Sequence, residues 1–382
     1  MKNCEAISEI LLAGRTHRAS SCDTKVIFEV FNDFYNKINE QKPHLVVCNS
    51  TENKTCFSLA NDQPILIIDC YAFEIMKYLN NIDGTSRFPV ARLFFKLYAE
   101  HMFFRGNYST ALTYMNKYNA IEPFTINEAE NDQMLSIQQV FIVYHEILHY
   151  FYYSNKDKLQ AEIPLTHNEL LEMLEALERT LESKSKTVAS GEKWDSLIDY
   201  YKEIEMHEYV IEELQAEKRQ KIDFYDGIFN PMRDHISKKS YLEESICDKF
   251  ATIRTLEWGV KMYSQNPVVF MPYICSALNS QFLVSFISSY FNGDLLMDVY
   301  SEAEARLYYV YFVIYNYLAE NGIFINDVDY EEAFVAESNR ITKIFEHIIS
   351  LSHEEMDRRD YQSSNIKEDE KRKLSLFIRQ CL

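Results

Sequence analysis

NDQMLSIQQVFIVYHEILHYFYYS, residues 131–154, is the stretch from which the fold and the chemistry of this chain are read. Its apolar flanks, Phe141, Ile142, Val143, Ile147, Leu148 and Phe151, mark a helix that is buried rather than laid on a surface. Within it stands His145-Glu146-Ile147-Leu148-His149, an HExxH. The i, i+4 spacing sets two imidazoles on one helix face, one turn apart, close enough to share a tetrahedral metal ion. Glu146 lies beside them, placed to take a proton from a water on that metal. Unpaired polar groups inside an apolar helix are expensive, so two imidazoles and a carboxylate there need a reason.

Two ligands do not complete such a site. In the pattern HExxHxxGxxH a glycine and a third histidine follow closely; here those positions hold Tyr152 and Asn155, which excludes that arrangement. The alternative takes a Glu from a later helix with an Asp four residues on, and Leu242-Glu243-Glu244-Ser245-Ile246-Cys247-Asp248 fits it. Glu244 and Asp248 fall one turn apart on one face. Glu244 is the candidate third ligand, with Glu243 as the alternative, leaving the fourth position for water. Asp248 is placed to accept the N–H of a ligand imidazole and fix its tautomer. Small Ser245 and Cys247 allow the two helices to approach closely. The ion such a His2Glu set implies is Zn2+.

Outward from these motifs, the 382 residues carry 39 Lys+Arg against 58 Asp+Glu, a net charge of −19. That balance weighs against a nucleic-acid partner, which would need excess cations to displace counterions. A hydrophobic fraction of 47% is enough for a sizeable core. Only eight Gly and eight Pro leave few tight turns and favour long helices. Helices are expected over 25–38, 87–106, 131–154, 166–182 and 194–220, the fourth opening on a Thr166/Glu169 capping box. HLVVC (44–48) and QPILIIDC (63–70) read as the only strands. The fold class is therefore mainly α, an α+β arrangement with a small sheet.

Three parts are expected. Residues 1–154 hold the sheet and the HExxH helix, 155–221 form a charged helical insertion with a connector at 183–193, and 222–382 form a helical part with the third ligand. Eight cysteines without paired spacing read as reduced thiols. The N-terminal apolar stretch is too short and too interrupted for a signal peptide, and a cytoplasmic location follows. Residues 264–293 contain no charged side chain, yet Pro272, Asn279, Gln281 and five serines between 268 and 291 favour a buried helix over a membrane span.

A third element, Ser352-His353 followed by Arg359, completes an order of HExxH, ExxxD and a late His with Arg six positions on. In these three places the chain resembles gluzincin-type zinc metallopeptidases of the CAAX-prenyl-endopeptidase kind. It also resembles, at greater distance, the Lit-type phage-exclusion peptidases. The resemblance implies a zincin-like helical core and hydrolysis of peptide bonds in a protein substrate. It further implies that His353 stabilises the oxyanion and that Arg359, with Arg358 as the alternative, supports the site. It departs where Glu354 replaces the usual proline, and where membrane helices would stand. The resulting expectation is a zinc endopeptidase with Glu146 as general base, a regulated or phage-defence enzyme that an activating protein partner would switch on. The alternative is a zinc-stabilised helical scaffold without turnover.

Overall fold

The computed structural model describes residues 24–38, 41–48, 55–60, 63–123, 128–188, 232–292, 296–323, 327–356 and 366–378. It is mainly helical with one small sheet. Helix α1 (Lys25–Ile38) precedes strands β1 (His44–Cys48), β2 (Cys56–Ala60) and β3 (Gln63–Asp69). The strands run in the order β1-β3-β2, β3 pairing parallel with β1 and antiparallel with β2. Ile65, Leu66, Ile67 and Ile68 of β3 are all buried, so both faces of the central strand are covered and its sequence reads as a continuous apolar run. β2 was not expected. CFSLA carries Ser58 and no β-branched residue, so its signal lies in the partner it pairs with.

The chain then passes through α2 (Cys70–Leu79), α3 (Arg87–Phe104), α4 (Tyr108–Ala120) and α5 (Glu128–Ser154). Asp69 ends β3 and begins α2 in one step, its carboxylate accepting the Tyr71 N–H. Helix α5 carries the HExxH and is the centre of the molecule, packed by α1, α2, β2, β3 and later helices. Ile137, Val140, Phe141, Ile142, Val143 and Ile147 along it have no exposed surface.

Helix α6 (Lys156–Val188) corrects two expectations. It begins ten residues before Thr166, so Thr166 and Glu169 are interior residues and not a capping box. Thr166 is fully buried, while Glu169 accepts from Lys249 Nζ at 2.6 Å and from the Tyr309 hydroxyl at 2.7 Å. Pro164 sits inside the helix without ending it. The first six residues of the expected connector, 183–188, continue α6; the rest of it and the helix expected at 194–220 lie outside the described residues.

Helix α7 (Lys239–Tyr263) runs along α5, and a short 3₁₀ segment (Pro267–Phe270) leads into α8 (Met271–Asn292), α9 (Leu296–Glu320), α10 (Asp327–Met356) and α11 (Glu368–Ile378). Gly259 lets α7 pack against the 3₁₀ segment and α5, because a Cβ there would stand 2.7 Å from the Phe270 ring and 3.0 Å from Ile137 Cδ1. The uncharged α8 is a core helix: Met271, Ile274, Cys275, Ala277 and Leu278 are fully buried. Among the described residues no helix is long and apolar enough to cross a membrane. A smaller second cluster, with Leu170, Met173 and Leu174 against Tyr241, Leu242 and Tyr309, holds α6 onto α7 and α9.

Candidate metal centre

Helices α5 and α7 bring three donors to one point. His145 Nε2 lies 3.0 Å from His149 Nε2 and 3.4 Å from Glu244 Oε2, and His149 Nε2 lies 3.5 Å from Glu244 Oε1. Among the described residues this trio is the set of His, Cys and acidic side chains whose ligand atoms all fall within 4.8 Å of one another. Ligands at zinc-like bond lengths in a tetrahedron sit about 3.3 Å apart, so the three edges have the size that ion requires.

The donor chemistry agrees. His145 Nδ1 approaches Asp248 Oδ1 at 2.9 Å, an ion-pair contact whose N–H is not aligned on that oxygen. A proton kept there leaves Nε2 as a lone pair aimed at the other two donors. Three electron-rich atoms cannot converge without positive charge between them, supplied by a proton or a metal ion. Burial works against a charged His145, but the Asp248 and Glu244 carboxylates outweigh it and hold that imidazole up at about 10. The trio can therefore take up positive charge, as a proton or as a metal ion.

Asp248 is fully buried and receives a forked contact from Arg306 of α9, Nε donating to Oδ2 at 2.6 Å and an Nη donating to Oδ1 at 2.9 Å. The same guanidinium lies 3.2 Å from Glu244 Oε2. Burial alone would raise both carboxylates; Arg306 and the imidazoles reverse this and hold Glu244 well below the ordinary range and Asp248 below it. Arg306, itself buried, is held further toward the charged form by the same two carboxylates against the opposing effect of burial. Arg306 was not foreseen from the sequence. Its signal is slight, a lone cation immediately before the apolar run 307–318.

The trio opens onto a cleft of about 770 Å³. Its walls include Thr55 and, beside it, Cys56 and Phe57 of β2, Tyr152 and Tyr153 of α5, Lys156 and Leu159 of α6, and Phe282 of α8. Glu146 lines it and is mostly buried; burial pushes its carboxyl up, opposed by the two imidazoles. Glu243 also lines the cleft but faces Lys239 at 3.6 Å, while its neighbour Glu244 joins the imidazoles. Cys247 lies behind His149, Sγ 3.6 Å from Nδ1.

The third expected element stands differently. The His353 side chain, Arg358 and Arg359 lie outside the described residues. Next to His353, Glu354 pairs with Arg87 at 2.6 Å and Glu355 accepts from Tyr114 and Lys117, all on α3 and α4. No described residue of α10 lines the cleft. The isolated His101 and His235 lie apart from the cleft, as does His167, and His207 lies outside the described residues. Of the eight cysteines, Cys247 and Cys275 are buried free thiols.

No protein-family model, no curated protein and no solved structure matches this chain.

Proposed function

We propose that this chain is a zinc-dependent endopeptidase of the gluzincin kind. The observation that carries the reading is the His145, His149 and Glu244 triangle, with edges of 3.0, 3.4 and 3.5 Å, facing an open cleft beside a buried glutamate. The two imidazoles and Glu244 would hold the ion, and a zinc ion there supplies a Lewis acid that polarises a carbonyl and acidifies water. Glu146 takes a proton from the attacking water and returns it to the leaving amine. Asp248 fixes the tautomer and orientation of His145, and Arg306 holds Asp248 and Glu244 in place.

A peptide is the substrate class that the cleft favours. Its wall includes β2, which pairs with β3 alone among the described strands and so stands at the edge of the sheet. An extended chain recognises an edge strand through main-chain hydrogen bonds. The aromatic groups Phe57, Tyr152, Tyr153 and Phe282 beside the trio offer apolar surface for substrate side chains. The buried thiols Cys247 and Cys275 support a reducing, cytoplasmic location as part of this proposal.

The test is Glu146→Gln. Metal analysis of wild type and variant should give about one zinc per chain in both, and only wild type should cleave a mixed peptide library. A zinc content near zero in wild type overturns the reading; equal cleavage by both overturns the role of Glu146. Wild type that binds zinc and cleaves nothing favours a zinc-stabilised scaffold.

A further inference from the structure

The two histidines of the trio are braced unequally. Behind His145 stands Asp248, a fully buried carboxylate gripped by Arg306. Behind His149 the nearest described partner is the Cys247 thiol, 3.6 Å from Nδ1. That thiol is itself buried. It also touches the far nitrogen of His149, the one turned away from the trio, since Nε2 is the atom that meets His145 and Glu244.

We infer that Cys247 is the positioning residue for His149: its sulfur accepts the Nδ1–H and thereby keeps Nε2 free and aimed at the ion. The inference rests on the zinc reading above. The chemistry is that of any imidazole ligand, whose remaining N–H needs an acceptor to fix the ring and its tautomer. Sulfur is a weak, polarisable acceptor at longer range than oxygen, which suits a separation of 3.6 Å. The consequence is a graded pair of ligands. His145 is buried and backed by a carboxylate, whereas the His149 side chain is about a quarter exposed and backed by a thiol. Cys247 sits on the α7 face that carries Glu244 and Asp248, so one helix supplies a ligand and the braces for both imidazoles.

The alternative is that Cys247 only fills space between α5 and α7. Two replacements separate these roles, because Ser retains an acceptor while Val retains apolar bulk. Zinc affinity is measured by competition with a chromophoric chelator, and the visible spectrum of the Co2+-loaded protein reports ligand geometry independently of activity. Cys247→Val should weaken zinc binding about 10-fold or more, the usual effect of removing such a partner, and shift the Co2+ bands. Cys247→Ser should stay within about threefold of wild type. Melting of the metal-free proteins identifies any variant that has lost its fold. Equal affinity for wild type and Cys247→Val overturns the inference, as does full retention by Val with loss in Ser. Wild type that binds no zinc overturns the metal reading itself, and this inference falls with it.

Discussion

Replacing Arg306 with Leu tests whether the fold and the site share one electrostatic anchor. The side chain is buried, its fork reaches Asp248 at 2.6 and 2.9 Å, and it stands 3.2 Å from Glu244. Opposite charges about 4 Å apart interact by about 4 kcal/mol at an effective dielectric of about 20. Burying both groups costs much of that, so the intact pair adds little net stability. Removing one member is another matter, because Asp248, with no exposed surface, is left without the guanidinium that grips both its oxygens. Losses of about 3–5 kcal/mol are expected for such a break, a large part of the roughly 5–15 kcal/mol that holds a domain together. Arg306→Lys keeps the charge and loses the fork, and should cost less. The assay is guanidinium denaturation of the metal-free protein, run as a cycle with Asp248→Asn. The double variant should be less destabilised than the two singles summed, by about 1.5 kcal/mol or more. A loss below about 1 kcal/mol in Arg306→Leu, or a coupling energy within about 0.5 kcal/mol of zero, refutes the anchor.

Gly259→Ala should lower the melting temperature: the added methyl meets Phe270 and Ile137, at a cost of about 1–3 kcal/mol that exceeds the roughly 1 kcal/mol by which Ala favours a helix over Gly. A higher melting temperature would show that Phe270 and Ile137 do not approach α7 this closely. Burial, with Arg105 adding to it, holds His101 down at about 4, below the roughly 6.5 of an unfolded chain. Its neutral form therefore supports the fold fully above pH about 6.5, and that support is lost as the pH falls toward 4. Discounted for partial exposure, the effect is about 1–2 kcal/mol, so urea titrations should show a smaller acid loss in His101→Gln than in wild type over that window; identical losses would count against it.

The helical framework was legible because its signals are local. Helix α1 spans the expected 25–38 and buries Ile27, Val30 and Phe31 of its apolar spacing, with Tyr35 in place of Phe34, and the buried middle of α5 follows from the apolar flanks of the HExxH. β3 was readable because it is buried on both faces. CFSLA has no β-branched residue to mark β2; its signal is spacing, since Asn61-Asp62 alone separates two stretches that pair antiparallel. α6 was misplaced for the opposite reason. Thr166 and Glu169 have the spacing of a helix start, yet Glu169 is bound by Lys249 and Tyr309, residues 80 and 140 positions away. A motif read along the chain cannot reveal that its side chain is engaged from across it.

The same distinction runs through the candidate metal centre. HExxH and ExxxD are each confined to one helix, so their internal geometry follows from 3.6 residues per turn. The choice between Glu243 and Glu244 is also a question of helix phase. Asp248 must be buried to reach His145 Nδ1, and the residue one turn before it on that face is Glu244, which leaves Glu243 beside Lys239. Burial of Asp248 then creates a requirement that neither motif contains. A carboxylate with no exposed surface, one turn from a second carboxylate, needs a fixed cation that persists whether or not a metal is bound. Arg306 meets it from α9, 58 positions beyond Asp248. In a chain of net charge −19 the informative residues are therefore the few cations adjoining apolar runs, and Arg306, immediately before 307–318, is one of them.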